Sequence, residues 1–151
     1  MRISNYDRGT EQNYEKAFFC LVQSTLTDSS ARSLYLLGDM YLNGYYVDKD
    51  IPEANDLYFH AVKVVDEVES SSETKSEIYE RLGKVYLLRP KTLETLNFAL
   101  KTFNLAEQHY LEAMQEYMFS LKDKVKEIRN LQMEVREYLD DLILISKEPV
   151  S

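Results

Sequence analysis

The sequence has few residues that interrupt helices. Three prolines and four glycines in 151 residues are too few for an all-β or loop-rich protein. Leucine, glutamate, lysine and alanine, which favour helix, are plentiful, and no segment alternates strictly between apolar and polar residues. The composition therefore predicts an all-α fold, and the length predicts a single domain over residues 1–151.

The residues that build most disulfides, metal sites and phosphate sites are also scarce. One cysteine, Cys20, excludes an internal disulfide and any metal site made of several cysteines. It lies in the apolar run AFFCLV, which predicts a buried thiol. His60 and His109 have no second ligand at a metal-binding spacing, and no glycine-rich phosphate loop is present. We therefore expect no metal, no cofactor and no enzymatic activity.

No stretch is long and apolar enough for a secretory signal or a membrane span. The formal net charge is −8, from 18 basic and 26 acidic residues. A nucleic-acid-binding protein normally presents a basic face to the phosphates, and here only local patches could do so, among them Lys122, Lys124, Lys126 and Arg129. We expect a cytoplasmic protein that binds neither nucleic acid nor a membrane.

One pattern occurs twice, 45 residues apart, in which LGDMY at 37–41 aligns with LGKVY at 82–86. The shared positions are Leu37, Gly38, Tyr41, Ala54, Tyr58 and Ala61 in the first copy, and Leu82, Gly83, Tyr86, Ala99, Phe103 and Ala106 in the second. A partial copy precedes them, with Ala17, Leu21 and Ser24 in the places of Ala54, Tyr58 and Ala61 and with Asn13 in that of Asp50. Repetition at this period predicts stacked helical units.

Start and stop signals divide the copies into helices. The predicted helices run from Asp28 or Ser29 to Asn43, from Asp50 to about Glu69, from the capping box at 74–77 to a point before Pro90, and from Thr92 onward. Gly38 and Gly83 fall inside helices, where glycine costs roughly 1 kcal/mol relative to alanine. We expect both glycines to lie where the second helix of the pair packs closely.

The pattern L-G-x-x-Y-x-x-G-x-x-V-x-x-D-x-x-x-A-x-x-x-Y-x-x-A, over 37–61, is similar to the Sel-like repeat, a short relative of the tetratricopeptide repeat. The first copy has Tyr46 in place of the family's second loop glycine and Leu57 where tryptophan is frequent. In the second copy Arg89 replaces the loop glycine and Thr95 the aspartate. The resemblance implies an α-solenoid of stacked antiparallel helix hairpins over 10–106, typical of adaptors and scaffolds in signalling or bacterial host-interaction settings.

The resemblance also implies a concave face formed by the first helix of each pair. The contact residues that it implies are Arg32, Tyr35, Asp39 and Asn43 in one copy and Glu77, Glu80, Lys84 and Leu88 in the next. Ordinary solvated helix positions are the alternative for each of them. Tyr45 and Tyr46, adjacent in a loop, are hard to bury together, so at least one should be exposed, as a binding anchor or as loop packing.

The C-terminal third has no glycine or proline from Thr92 to Ser146, with helix breaks expected near Ala106–His109 and Phe119–Asp123. A coiled-coil-like seam follows, formed by Leu121, Val125, Ile128, Gln132, Val135, Leu139 and Leu142. Three roles are open for the helices over 107–146. They cap the end of the repeats, they associate with a second copy of the chain with Gln132 setting the register, or they dock on a partner's helix.

The function predicted from the sequence is a non-enzymatic module that binds a peptide or protein segment on the concave face. The alternative is a structural or regulatory homodimer that associates through the C-terminal helix.

Overall fold

The computed structural model describes residues 5–28, 30–68, 71–117 and 122–147, and over these residues the protein is all-α. The described residues form six helices and no strand. In chain order the helices are α1 (Asn5–Thr27), α2 (Ala31–Asn43), α3 (Ile51–Glu67), α4 (Ser72–Leu87), α5 (Leu93–Tyr117) and α6 (Lys122–Lys147). None of the described helices is long and apolar enough to cross a membrane.

The chain divides into two compact units, Met1–Glu69 (unit 1) and Ser70–Ser151 (unit 2). In unit 1, α2 packs against both α1 and α3. In unit 2, α5 packs against both α4 and α6. The prediction of one domain over residues 1–151 stays a prediction.

Local signals in the sequence set several helix ends. Asp50 caps α3, because its Oδ1 accepts a hydrogen bond of 3.0 Å from the backbone N–H of Glu53. Gly44 ends α2 in the left-handed conformation, with φ 69°. Thr92 precedes α5, and its Oγ1 accepts a hydrogen bond of 3.2 Å from the backbone N–H of Thr95. These three predictions are confirmed.

Two predicted helix starts are wrong. The N-cap of α2 is Ser30, whose hydroxyl accepts the backbone N–H three residues later; Asp28 lies directly after α1, and Ser29 is outside the described residues. The N-cap of α4 is Ser71, so the capping box predicted at 74–77 lies inside the helix. In both cases a serine nearer to the true boundary provides the same acceptor chemistry.

Gly38 packs against the ring of Tyr58, as the sequence predicts. A β-carbon at residue 38 would lie 2.6 Å from Cε1 of Tyr58, closer than real side chains approach. Ala54 and Ala61, one helical turn to either side of Tyr58, are fully buried in the same contact face of α3. The missing side chain of Gly38 therefore lets the Tyr58 ring lie directly on α2.

Unit 2 repeats this arrangement at the offset that the sequence gives. A β-carbon at residue 83 would lie 2.5 Å from Cε1 of Phe103, and Ala99 and Ala106 are fully buried. The two copies of the pattern therefore form the same helix-pair contact, α2 with α3 and α4 with α5.

The partial third copy does not form such a pair. Helix α1 runs without a break from Asn5 to Thr27, so Asn13 does not start a helix as Asp50 does. Ala17 is exposed, whereas its counterparts in α3 and α5 are fully buried. The free Cys20 is also exposed, because the apolar run AFFCLV is only partly covered, and the predicted buried thiol is wrong.

The break predicted near Ala106–His109 is also wrong, because α5 continues to Tyr117. Ala106, Tyr110 and Ala113 are all buried, so one apolar stripe extends through the predicted break and keeps the helix regular. The second predicted break, near Phe119–Asp123, falls mostly outside the described residues, which include α5 up to Tyr117 and α6 from Lys122.

Candidate functional site

The eight contact residues predicted from the Sel-like pattern differ widely in exposure. Tyr35 is 2% exposed and Glu80 is 3% exposed, so both side chains belong to the core of their units and are not available to a ligand. Arg32, Asn43 and Leu88 are exposed, whereas Glu77 is half-buried. The structure therefore leaves three of these positions fully accessible.

Asp39 and Lys84, the equivalent positions of the two copies, are bound to neighbouring side chains. The hydroxyl of Tyr58 donates a hydrogen bond of 2.6 Å to Oδ1 of Asp39. In unit 2 the corresponding ring is Phe103, which has no hydroxyl, and the position of Asp39 is taken by Lys84. Asp39 thus has a structural partner, which accounts for an aspartate in the first copy only.

Lys84 belongs to a charged cluster in unit 2. Its Nζ lies 3.3 Å from Oε1 of Glu80 and 3.4 Å from Oε1 of Glu127. The hydroxyl of Tyr110 donates a hydrogen bond of 2.9 Å to Oε2 of Glu80. Burial, together with the negative charge of Glu80 and this hydrogen bond, raises the pKa of Tyr110 far above its usual value. The cluster holds a buried carboxylate between a phenol and a lysine.

Oε1 of Glu80 has no hydrogen bond of good geometry, although Lys84 is within ion-pair distance. The ion pair is the interaction that matters here, because Coulombic attraction depends on distance much more than on angle. The cluster therefore links α4, α5 and α6 within unit 2.

The C-terminal seam is occupied within unit 2. Val125, Ile128, Gln132 and Val135 are buried in the core shared with α5. Leu139 and Leu142 pack on the same core, and Nε2 of Gln132 donates a hydrogen bond of 2.9 Å to Oδ1 of Asn104. Leu121 lies outside the described residues. This face of α6 therefore covers α5, as in the capping alternative, and Gln132 bonds within unit 2.

Aromatic rings cluster at the surface of unit 1, and we name this cluster the aromatic patch: the exposed Phe19, Tyr45 and Tyr46 and the half-buried Tyr14 and Phe18. Tyr14 and Tyr45 stack with ring centroids 4.5 Å apart. Tyr46 lies 5.5 Å from Phe18 and 5.8 Å from Phe19. Phe19 is 54% exposed and Tyr46 48%, so the prediction of an exposed loop tyrosine is confirmed.

The backbone of Tyr46 is strained, with φ 69°. A left-handed conformation costs a non-glycine residue about 1–2 kcal/mol. Glycine, which the Sel-like pattern has at this position, would adopt this backbone without strain. Tyrosine instead places an aromatic ring beside Phe18 and Phe19.

A surface cavity adjoins the aromatic patch. Its volume is about 470 Å³, and it is lined by Glu15, Lys16, Phe19 and Cys20. This volume is within the range of small ligand pockets. The prediction of a buried Cys20 thiol concealed this cavity, since Phe19 and Cys20 are both exposed.

Among the described residues, no group of three His, Cys, Asp or Glu side chains is arranged to hold a metal ion. His109 instead bonds to Glu112, with 3.0 Å between its Nδ1 and Oε2 of Glu112, and stacks on Tyr79. Comparisons of the chain with protein-family models, curated proteins and solved structures found no match.

Proposed function

We propose that this protein is a non-enzymatic interaction module that binds a peptide or protein segment through the aromatic patch of unit 1. The observation that carries the proposal is the strained Tyr46, whose ring is about half exposed. Strain in a folded protein persists only where the surrounding structure enforces it, and it often marks a binding or switching site. Tyrosine is also among the residues that contribute most to binding energy at protein interfaces.

The charge of unit 1 indicates the chemistry of the partner. Residues 1–69 contain 6 basic and 12 acidic side chains, a formal charge of −6. Arginine and lysine bind the faces of aromatic rings, with about 0.5–2 kcal/mol per contact depending on solvent exposure. A segment that carries arginine or lysine would therefore gain from both the rings and the surrounding carboxylates.

The wider arrangement belongs to the same proposal. We expect each helix pair to be an antiparallel hairpin of Sel-like type and the hairpins to stack as an α-solenoid, with Arg32, Asn43 and Leu88 as the accessible members of the implied concave face. A cytoplasmic adaptor that binds neither nucleic acid nor a membrane fits this architecture. The matching Gly38–Tyr58 and Gly83–Phe103 contacts support the repeat, since they recur at equal spacing.

Selection from a random 12-residue peptide library against the immobilised full chain tests the proposal. We expect enriched peptides to contain arginine or lysine and to lose at least about tenfold in affinity for Phe19→Ala and Tyr46→Gly, which corresponds to 1.4 kcal/mol. Tyr46→Gly removes the ring and suits the backbone, so it keeps the loop conformation. The matched control is Leu26→Ala, which removes a side chain that is 80% exposed on the same helix as Phe19.

Binding would be measured by calorimetry with the same synthetic peptides for all variants. Peptides that bind all three variants as tightly as the unchanged protein would contradict the assignment to the aromatic patch. Enrichment of acidic peptides that depend on Phe19 would contradict the predicted charge of the partner.

A further inference from the structure

A groove in unit 2 combines an apolar floor with basic walls. It lies between the C-terminal half of α5 and the first two turns of α6, and its volume is about 610 Å³. Leu111, Met114 and Val125 provide the apolar surface, and Lys122, Lys126 and Arg129 provide three cations. Asp123 is the one acidic residue in the lining, so the groove is positive in a chain whose net charge is −8.

The cations of this segment differ in their partners. Lys124, which does not line the groove, pairs with Glu127 at 3.6 Å. Arg129 pairs with Glu107, also at 3.6 Å. Lys122 and Lys126 line the groove and form no ion pair with any residue that the structure describes. Two lysines at the groove thus have no ion-pair partner in the described part of unit 2, although the carboxylate of Asp123 also lines the groove.

The shape of the groove favours a protein segment over an enclosed small molecule. Its volume lies within the range of about 300–1,000 Å³ typical of ligand sites. Of its lining residues only Val125 is buried, and Leu111 is 38% exposed, so the groove is open along the surface. An acyl chain placed there would keep much of its length in water, whereas a few apolar side chains of an amphipathic helix would fill it.

We propose that the groove between α5 and α6 binds an acidic amphipathic segment of a partner protein. Apolar side chains of the segment occupy the floor at Leu111, Met114 and Val125. Its glutamate or aspartate side chains pair with Lys122 and Lys126, which complements their charge. The groove belongs to unit 2 and its proposed occupant is acidic, whereas the aromatic patch belongs to unit 1 and its proposed occupant is basic, so either proposal can fail without the other.

The test uses a fluorescein-labelled 14-residue helical peptide with leucine on one face and glutamate elsewhere, measured by fluorescence anisotropy with the full chain. We expect Lys122→Glu/Lys126→Glu to weaken binding at least tenfold. The control Lys101→Glu/Lys147→Glu makes the same change in net charge at two exposed lysines that do not line the groove, and it should stay within about threefold. Leu111→Ala tests the apolar floor and should also weaken binding.

Equal loss of affinity in the two double variants would overturn the proposal, because it would show attraction by net charge alone. Absence of binding to the unchanged protein at 1 mM peptide, taken as roughly the weakest affinity of interest, would also overturn it. Dodecanoate serves as a competitor. If it displaces the peptide at a concentration below the one at which the peptide half-saturates the protein, the groove would be assigned to a fatty acid instead. If the double variant does not fold by circular dichroism, Lys126→Gln provides the same comparison at one site, with Lys101→Gln as its control.

Discussion

Gly83 is the residue whose replacement tests the helix-pair contact most directly. Alanine at this position should gain about 1 kcal/mol in helix propensity. Its β-carbon would, however, meet the Phe103 ring at 2.5 Å, and overpacking of a core costs typically 1–3 kcal/mol. Because the ring is fully buried and has little room to move, we expect Gly83→Ala to lower the free energy of unfolding, measured by urea denaturation.

The same substitution made in a Phe103→Leu variant separates the gain in helix propensity from the cost of overpacking. In Phe103→Leu the ring is gone, so adding Gly83→Ala should cost less than it does in the unchanged protein, or should stabilise. The difference between the two backgrounds is the coupling energy of the contact. A cost for Gly83→Ala that is the same in both backgrounds would show that the ring does not set the need for glycine.

The predicted close packing at Gly38 and Gly83 is confirmed, whereas two of the implied contact residues are buried. One physical reason explains both outcomes. Tyr35 and Glu80 lie three residues before Gly38 and Gly83, and residues three apart share a face of a helix. A glycine that packs against the second helix therefore brings its neighbour at i−3 into the same buried face. The residue type at position 46 gives no sign of the strain there, since tyrosine rarely adopts a positive φ.

At the scale of an element, α6 is held by its apolar seam on α5. Ile128 is fully buried within that core. Replacing a buried isoleucine by alanine costs about 2–5 kcal/mol, from lost burial and the cavity that remains. We expect Ile128→Ala to lower the free energy of unfolding in this range, whereas Met133→Ala, at a position 57% exposed on the same helix, should change it by less than about 0.5 kcal/mol.

The same pair of variants distinguishes capping from self-association. If the seam covers α5, light scattering should give the same molar mass for the unchanged protein and for both variants. A fall in molar mass caused by Ile128→Ala alone would instead support a homodimer through the seam.

Helix ends were predicted well where one residue decides the backbone, as Gly44 and Asp50 do. They were predicted poorly where the decision depends on packing. The sequence near Ala106 resembles the end of the first copy, yet α5 continues because α4 packs against its next turns, where Tyr110 donates a hydrogen bond to Glu80. The cover provided by a distant segment is not visible in a local pattern.

For the whole molecule, protonation links stability to pH. The pKa of the Glu112 carboxyl lies below its usual value of 4.5. The largest cause is its hydrogen bond to His109, and the next is its hydrogen bond to Gln108. This contribution is present above pH 4.5 and is lost as the pH falls through the lowered pKa. Burial, and then the charges of Glu53 and Asp50, raise the pKa of Tyr41 in unit 1. The free energy of unfolding should therefore be greatest between the pH at which Glu112 gains its proton and the pH at which the tyrosines lose theirs.

Tyr110 sets the alkaline limit of unit 2, because its raised pKa keeps the hydroxyl protonated in the folded chain. The unfolded chain loses this proton near pH 10, so above that pH the free energy of unfolding should fall by about 1.4 kcal/mol per pH unit from this one group. Urea denaturation between pH 8 and 11, in the range set by the unfolded tyrosine pKa of about 10, should show this slope reduced in Tyr110→Phe. Ile128→Ala, which destabilises without removing a titrating group, should keep it. A slope that is unchanged in Tyr110→Phe would mean that other groups determine the alkaline loss, and that burial of Tyr110 beside Glu80 is not what holds the proton.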